Sequence, residues 1–443
     1  MIDTANPIAL SAVEAAEAIA EGHLSAEEYI TACLERIEAI DGQVQAFVHL
    51  DRQDALMQAR ALDERRRNGQ PIGMLHGLPV AIKDIFDTAD YPTECGSPLL
   101  AGRRPVRDST VVARLRSAGA VIIGKTVTTE FAYFHPGPTR NPHNLEHTPG
   151  GSSSGSAAAV AAGMVPLAVG SQTNGSVIRP ASYCGVYGCK PSHGLISRAR
   201  VLQLSRTLDH VGVFARTLPD TALILEALAG YDPLDEDTRP VAAPDFLDRV
   251  TEGPPMPPRF AFVRTPVWDR ADEDARQAIE QLVARLGDAA DAVEMPESYL
   301  AAWDDHRLIM AAEMAHNLGP AIARGGEQAS KVFRDLVVEG RAVGATQYLA
   351  SRANVRRYNA GLEEIFKEYD AIVTLATTGT APKADVTGNP VFCSFWTLTG
   401  LPALSLPLLQ GSNGLPLGIQ LIGQADDDAR LLRSANWLIN RLA

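Results

Sequence analysis

Three serines stand in a row between glycines in the stretch GGSSSGS, residues 150–156, and an alanine-rich apolar run follows them. A flexible linker would not continue into such an apolar run. The serines could therefore connect two elements, hold an anion or take part in chemistry. Serine acts as a nucleophile in acyl transfer only where a neighbouring base activates it, so a base has to be found elsewhere in the chain.

A second candidate stretch is GSQTNGSVIRPASYCG, residues 170–185, which follows a buried-strand pattern that ends at Val169. Small residues in such a turn can aim successive backbone N–H groups into one concavity, as an oxyanion hole requires. Asn174 and Gly175 tolerate left-handed backbone angles, and Ser176 follows them as a candidate nucleophile. An ordinary turn with an exposed serine explains this stretch equally well.

The base for such a serine has two kinds of candidate. Three histidines share a Pro- and Asn-rich loop: His135, His143 and His147. Their spacing is weak evidence for a metal site, and no G-x-S-x-G elbow surrounds Ser176, so a His-dependent triad is disfavoured. Lys83 directly follows the apolar run Leu-Pro-Val-Ala-Ile, where burial would lower its pKa and make it a neutral base. The alternative is a lysine that extends towards solvent and pairs with Asp84.

The stretch GAVIIGKT, residues 119–126, matches the phosphate-binding pattern GxxxxGK[ST]. A phosphate loop needs irregular, Gly-rich residues before the Gly-Lys pair. Here those positions are Ala-Val-Ile-Ile, which are typical of a strand. We therefore predict a strand here, a structural role for Lys125 and no nucleotide binding.

The elements that would position these residues alternate between short β-branched runs and helical stretches. The pattern predicts strands at 80–82, 120–123 and 165–169, and helices at 110–118 and 156–162. Such alternation indicates an α/β sheet with helices outside it.

The remaining segments predict a single domain over residues 1–443, with residues 1–70 forming N-terminal helices and 71–230 the catalytic core. Two helical patterns span 8–40, and the second opens with a capping box from Ser25 to Glu28. Residues 232–258 suggest a surface connection, and 235–370 a variable, mainly helical segment. YDAIVTLAT, LPLGIQLIG and the end of the chain predict C-terminal strands and an amphipathic helix within 371–443.

Composition excludes several functions. The formal charge of −13 argues against a nucleic-acid partner, which requires a basic face. The five scattered cysteines predict reduced core thiols. The start MIDTANPIAL lacks the basic residues of a signal peptide, and the longest apolar stretch is too short to span a bilayer. We therefore expect a cytoplasmic protein without membrane contact.

Taken together, the lysine after an apolar strand, PGGSSSGSAAAVAAG and TNGSVIRPASYCG resemble the amidase signature family in identity, order and spacing. The similarity covers most of the chain, including GLPALSLP and LPLGIQLIG, and is loosest over about 235–370. Within the family, RNPHN, GGSSSGSAAAV and GSVIRPA are most similar to malonamidases.

The resemblance implies a single large α/β domain whose mixed central β-sheet is covered by helices on both faces. It implies that Lys83 is the base, that Ser152 is a bridging serine on a cis peptide bond, and that Ser176 is the nucleophile. No metal or organic cofactor is expected. The oxyanion would be held by backbone amides of four residues: Thr173, Asn174, Gly175 and Ser176.

Three positions bear on substrate binding. Arg179 is similar to a malonamidase residue that grips a substrate carboxylate, but an Arg that is purely structural fits equally well. Ser171 replaces a threonine and keeps its hydroxyl. Asn174 stands where the family usually has glycine, so its side chain could alter specificity.

The function implied is hydrolysis of an amide C–N bond in a small substrate through a Ser176 acyl-enzyme, with carbamates or esters as further substrates. The alternative is a protein that resembles the glutamine-hydrolysing component of an amidotransferase and supplies ammonia to a partner. The acyl and leaving groups cannot be named from sequence, and a homodimer remains open.

Overall fold

One sheet runs through the whole of the computed structural model, which describes residues 4–442. Within these residues eleven strands form it, namely β1 (Phe47–Leu50), β2 (Pro79–Lys83), β3 (Val121–Thr126), β4 (Leu167–Gln172), β5 (Tyr187–Lys190), β6 (His210–Ala215), β7 (Phe260–Arg264), β8 (Ala290–Glu294), β9 (Ala371–Leu375), β10 (Ala403–Gln410) and β11 (Pro416–Ile422).

The spatial order of the strands is β1-β3-β2-β4-β6-β5-β10-β11-β9-β7-β8. Strand β2 lies parallel to β3 and β4, and β7 lies parallel to β8 and β9, whereas the other neighbours are antiparallel. Every residue of β2, β3 and β4 is buried. Because successive residues of a strand face opposite sides, helices must cover both faces. The expected mixed sheet in a single α/β domain is therefore confirmed.

The described residues also form fourteen α-helices, namely α1 (Ala12–Glu21), α2 (Ala26–Val44), α3 (Arg52–Arg67), α4 (Thr110–Ser117), α5 (Ser154–Ala161), α6 (Ile178–Cys184), α7 (Leu218–Leu228), α8 (Phe246–Thr251), α9 (Glu273–Leu286), α10 (Ala301–Gly325), α11 (Lys331–Ala342), α12 (Ala345–Phe366), α13 (Val391–Leu398) and α14 (Asp428–Leu442). Over residues 4–442, none of these helices has the length and apolarity needed to cross a bilayer.

Helix α5 explains why an alanine-rich run follows the serines. Seven of its eight residues, Ser154 to Val160, are buried, so it is an interior helix that needs no polar face. A Cβ atom at Gly155 would lie 2.2 Å from the carbonyl oxygen of Ala46. Only small side chains allow this close approach, which fixes the serine run against the sheet.

Several local predictions are confirmed. The capping box at the start of α2 is present, with the Ser25 hydroxyl and the Glu28 carboxylate satisfying each other's backbone amides. The final segment forms the amphipathic helix α14, and all five cysteines are buried free thiols. The predicted strand over 165–169 begins instead at Leu167, because Pro166 has no N–H for the sheet ladder.

Other elements were not predicted. Strands β1, β5, β6, β7, β8 and β10 lie outside the strand predictions, and β7 and β8 both interrupt the segment 235–370, which was expected to be mainly helical. Apart from β10 they are short, and only pairing with neighbours distinguishes such runs from loop or helix. Helix α8 likewise lies inside the expected surface connection, where Phe246 and Val250 are buried.

The stretch that matches the phosphate-binding pattern, residues 119–126, contains the buried strand β3, as predicted. Its Lys125 is fully buried, and its Nζ lies 3.0 Å from Oδ1 of Asp84. The same Nζ donates hydrogen bonds to the Thr93 hydroxyl and to the carbonyl oxygens of Phe86 and Pro92. The N–H groups of this ammonium all have partners inside the protein, so none is left to bind phosphate.

Removing Lys125 should strongly destabilise the protein, because Asp84 would be left as a buried carboxylate without its cation. We expect Lys125→Met to lower the free energy of unfolding by about 3–5 kcal/mol, measured by urea denaturation. The matched control is Lys331→Met, which breaks the exposed pair with Asp335 and should leave stability nearly unchanged. Equal effects of the two substitutions would contradict a structural role for Lys125.

Candidate active site

Two adjacent parallel strands bring the first candidate residues together. Ile82 of β2 is paired with Val169 of β4, so Lys83 and Ser171 both lie at the carboxyl edge of these strands. Parallel strands end at the same edge of a sheet, which explains why residues 88 positions apart meet there.

Lys83 is fully buried, and its contacts are two hydroxyl groups. Its Nζ lies 2.7 Å from Ser152 Oγ and 2.8 Å from Ser171 Oγ. Among the described residues no carboxylate lies within ion-pair distance of it. Burial lowers the pKa of Lys83 well below its usual range, and the Asp209 carboxylate opposes this only in part. The alternative in which Lys83 pairs with Asp84 is wrong, because Asp84 pairs with Lys125.

Ser152 follows a cis peptide bond, Gly151–Ser152, as the resemblance implied. The segment is held on both sides of this bond. The carbonyl oxygen of Gly151 accepts a hydrogen bond from Arg179, and that of Ser152 accepts one from the amide of Thr129. Gly150 has φ +86°, and a Cβ there would lie 2.8 Å from Pro180, so both space and backbone angle require glycine.

Ser176 is buried in the loop between β4 and α6, and its neighbours Thr173 and Asn174 line the same small cavity. Within residues 4–442, the amides of Asn174, Gly175 and Ser176 donate no hydrogen bond. Free amides beside a serine in a cavity can stabilise a negative oxygen that develops there. The oxyanion hole predicted at Thr173, Asn174, Gly175 and Ser176 stays a prediction, and the free amides of the last three residues are compatible with it.

Asn174 and Gly175 do not use the left-handed angles that they tolerate, since neither has positive φ. Asn174 therefore replaces the usual glycine without backbone strain. Its side-chain oxygen accepts a hydrogen bond of 2.6 Å from the hydroxyl of Ser394, which turns it towards α13. A Cβ at Gly175 would be tightly packed, 3.0 Å from Pro390 and 3.1 Å from Cys393, so a larger residue would require these neighbours to shift.

The cavity at Ser176 is narrow and mainly apolar. Its other lining residues are Ala132, Tyr133, Phe134, Arg179, Leu204, Met310 and Met314. It adjoins two larger spaces, because Phe134 also lines an open cavity of about 1040 Å³ and Leu204 lines one of about 270 Å³ that reaches Ser171.

Arg179 is buried, and two of its nitrogens are already committed. They donate to the carbonyl oxygens of Gly388, at 3.0 Å, and of Gly151, at 2.6 Å. No carboxylate pairs with Arg179 among the described residues, and its buried Nε has no partner there. Both sequence interpretations remain open, since the side chain holds the Gly151 carbonyl and the Nε–H has no partner among the described residues.

Sequence reasoning missed Asp209, which no motif marks. This buried carboxylate accepts a hydrogen bond of 2.6 Å from the Thr173 hydroxyl and further ones from the amides of Leu204 and Ser205. Burial raises the pKa of Asp209 to about 6. Asp209 lies in the loop before β6, and only the three-dimensional fold brings this loop near Lys83.

The loop histidines have structural partners. His143 contacts the carbonyl oxygen of Cys184, and His147 contacts that of Ala381. Over the part of the chain that the structure describes, no group of three or more metal-ligating side chains could hold an ion.

The fold is that of an enzyme class that cleaves C–N bonds by hydrolysis. A family model described as Amidase matches residues 28–432, and the chain belongs to the amidase signature family. The family assignment made from the sequence motifs is thereby confirmed, while the narrower similarity to malonamidases stays a prediction.

Among curated relatives, the A subunit of the glutamyl-tRNA(Gln) amidotransferase of Acidothermus cellulolyticus is 36% identical over 469 residues, covering 96% of this chain and 92% of the relative. Among solved structures, one from a vestigial protein complex related to the origins of an s-triazine catabolic enzyme has a TM-score of 0.91 at 30% identity, covering 97% of this chain and 98% of that chain. The native peptide amidase of Stenotrophomonas maltophilia has a TM-score of 0.86 at 30% identity, covering 100% and 98%.

The burial of Lys83 predicts a pH dependence. If neutral Lys83 is the base, kcat/KM should be full on the alkaline side of its lowered pKa and fall as pH decreases through it. Lys83→Arg should lower kcat/KM by about 10²–10⁴-fold, because a guanidinium does not deprotonate in this range. Lys83→Met should be equally inactive, and circular dichroism should verify that both variants fold. A Lys83→Arg enzyme with near wild-type kcat/KM would refute the role of Lys83 as base.

Proposed function

We propose that this protein hydrolyses an amide C–N bond of a small substrate through an acyl-enzyme on Ser176. The observation that carries the proposal is the contact between the buried amine of Lys83 and the Ser152 hydroxyl, 2.7 Å apart, with no counterion among the described residues. A neutral amine so placed can accept a proton from a hydroxyl, which an ammonium cannot. The same chemistry would cleave carbamates and esters.

The proposed reaction moves one proton along the Ser176, Ser152 and Lys83 side chains. Lys83 accepts the Ser152 proton while Ser152 accepts that of Ser176, and the Ser176 oxygen bonds to the substrate carbonyl carbon. The C=O electron pair shifts to oxygen, which the free amides near Asn174 stabilise. When the C–N bond breaks, the proton returns to the leaving nitrogen. Water then repeats the attack and releases the acid and free Ser176.

In this proposal Ser171 keeps the base in place. A neutral amine has one lone pair and two N–H donors, so Lys83 can accept from Ser152 while it donates to Ser171. The Ser171 hydroxyl thus fixes the rotation of the amine without adding charge. A carboxylate at this position would instead favour the ammonium form and remove the base.

The substrate pocket favours a partly apolar amide that carries a carbonyl or carboxylate group. Arg179 is the positively charged residue that lines the cavity with Ser176, and we expect its guanidinium to bind that group. Two methionines, Met310 and Met314, line the same cavity with adaptable apolar side chains.

A second candidate function is release of ammonia from glutamine for a partner protein. The name of the curated relative from Acidothermus cellulolyticus supports this function over a standalone amidase. The composition of the cavity favours the standalone amidase. Free glutamine carries an ammonium group that a carboxylate would bind, and no carboxylate lines the cavity at Ser176 within the described residues. Both functions use the same proposed acyl-enzyme.

Hydroxylamine should capture the acyl group. With an amide that the wild type cleaves, we expect hydroxamate to form, because a small nucleophile can replace water in the second step. Ser176→Ala should abolish both hydrolysis and hydroxamate, whereas Ser152→Ala should lose several orders of magnitude and keep a trace, since water can partly replace a proton relay. Hydrolysis without any hydroxamate would argue for direct attack by water.

The two candidate functions differ in preferred substrate. We expect the purified chain to cleave a small monoamide that carries a carboxylate but no ammonium group at least about tenfold faster, in kcat/KM, than glutamine. Ammonia release from each should be measured under identical conditions, with the esterified amide as the control for the carboxylate. Glutamine as the best substrate would instead favour the ammonia-supplying function.

A further inference from the structure

In the loop Thr173–Ser176, backbone amides and backbone carbonyl groups differ in their hydrogen bonding. Within the described residues, the amides of Asn174, Gly175 and Ser176 are free, while the carbonyl oxygen that precedes each one accepts a hydrogen bond. The Thr173 oxygen binds His306 at 2.9 Å, the Asn174 oxygen binds Thr397 at 2.6 Å, and the Gly175 oxygen binds the amide of Arg179 at 3.0 Å.

Peptide planarity connects these two observations. In a trans peptide, C=O and the following N–H point in opposite directions within one plane. The cis bond at Gly151–Ser152 is the one found among the described residues, so the loop peptides are trans. A partner that fixes the Thr173 carbonyl therefore fixes the direction of the Asn174 amide, and a partner on the Asn174 carbonyl does the same for Gly175.

His306 reaches this loop from α10, in the segment where the family resemblance is loosest. Its Nε2 faces a carbonyl oxygen, which can only accept, so Nε2 must carry the hydrogen. Burial lowers the pKa of His306 to about 4, which keeps the ring neutral near neutral pH. Neutral histidine supplies this donor without placing a charge beside the candidate oxyanion hole.

Thr397 reaches the same loop from α13 and joins it to the end of β4. Its hydroxyl donates to the Asn174 oxygen and accepts 3.0 Å from Gln172 Nε2. The other end of Gln172 accepts from the amides of Val177 and Ile178. The loop is thus held between α13, the strand before it and the helix after it.

We propose that His306 and Thr397 are positioning residues, which aim the amides of Asn174 and Gly175 at the negative oxygen formed when Ser176 attacks. This inference rests on the proposed function. It gives the helical segment around α10 a part in the reaction, although neither side chain has to touch the substrate.

The test uses a fluorophosphonate, an electrophile that needs no knowledge of the substrate. The Ser176 oxygen forms a bond to phosphorus, the P–F bond breaks and fluoride leaves, and the serine proton passes to Lys83. The adduct places a phosphoryl oxygen where the oxyanion would be. Loss of one oxyanion donor lowers rates by about 10²–10³-fold, so a misaimed amide should lower the labelling rate constant by at least about tenfold.

We expect Thr397→Val, which removes the hydroxyl at nearly constant shape, to reduce labelling at least tenfold, and Thr397→Ser, which keeps it, to remain within about threefold of wild type. His306→Leu and His306→Gln form a second pair, because the glutamine amide can replace the Nε2 donor. Mass spectrometry locates the adduct, Ser176→Ala is the blank, and thermal denaturation verifies folding. Should one removal variant fail to fold, the other pair carries the test.

The outcomes separate the two proposals. Wild-type protein that does not become labelled at Ser176 contradicts the proposed function itself. If the wild type is labelled at Ser176 and folded Thr397→Val or His306→Leu is labelled at the same rate, only the positioning role is overturned. Equal slowing in the removal variant and in its conservative partner also overturns it, because the hydrogen bond would then not be the cause.

Discussion

A lysine side chain buried with no counterion among the described residues is the constraint on which the site depends. An isolated ammonium in a dry interior is unfavourable by several kcal/mol, so burial lowers the pKa of Lys83 well below its usual range and favours the neutral amine. Each unit by which a pKa falls corresponds to about 1.36 kcal/mol between the two protonation states. Ser152 and Ser171 satisfy the amine through hydrogen bonds alone. Any carboxylate within reach would convert the base into half of an ion pair.

The surrounding fold maintains this condition. Strands β2 and β4 end together, which brings Lys83 beside Ser171 and closes it off from solvent. The small residues of α5 let the serine segment approach the same edge, and Arg179 links that segment to the loop that carries Ser176. The same sheet edge, the interior helix α5 and the buried Arg179 therefore position both the proposed base, Lys83, and the proposed nucleophile, Ser176.

The sequence was informative wherever a pattern is local. Lys83 after an apolar run, the glycines around Ser152 and the turn before Ser176 each follow from backbone geometry or burial, and the structure brings all three segments to one site. Asp209, His306 and Thr397 could not be found in this way, because each meets the Thr173 loop from a distant part of the chain. The short strands β7 and β8, at one end of the sheet, were missed for the same reason, because only pairing with neighbouring strands identifies them.

Two buried lysines stand on neighbouring strands, and the protein treats them in opposite ways. Lys125 is paired in register with Ile82, one residue before Lys83, yet within the described residues Lys125 has the Asp84 carboxylate as its ion-pair partner and Lys83 has none. Asp84 adjoins Lys83 in the chain, but its carboxylate is engaged by Lys125 on the neighbouring strand. The Lys125–Asp84 ion pair therefore has a consequence beyond stability, because it keeps the adjacent carboxylate occupied and leaves Lys83 with hydroxyl partners.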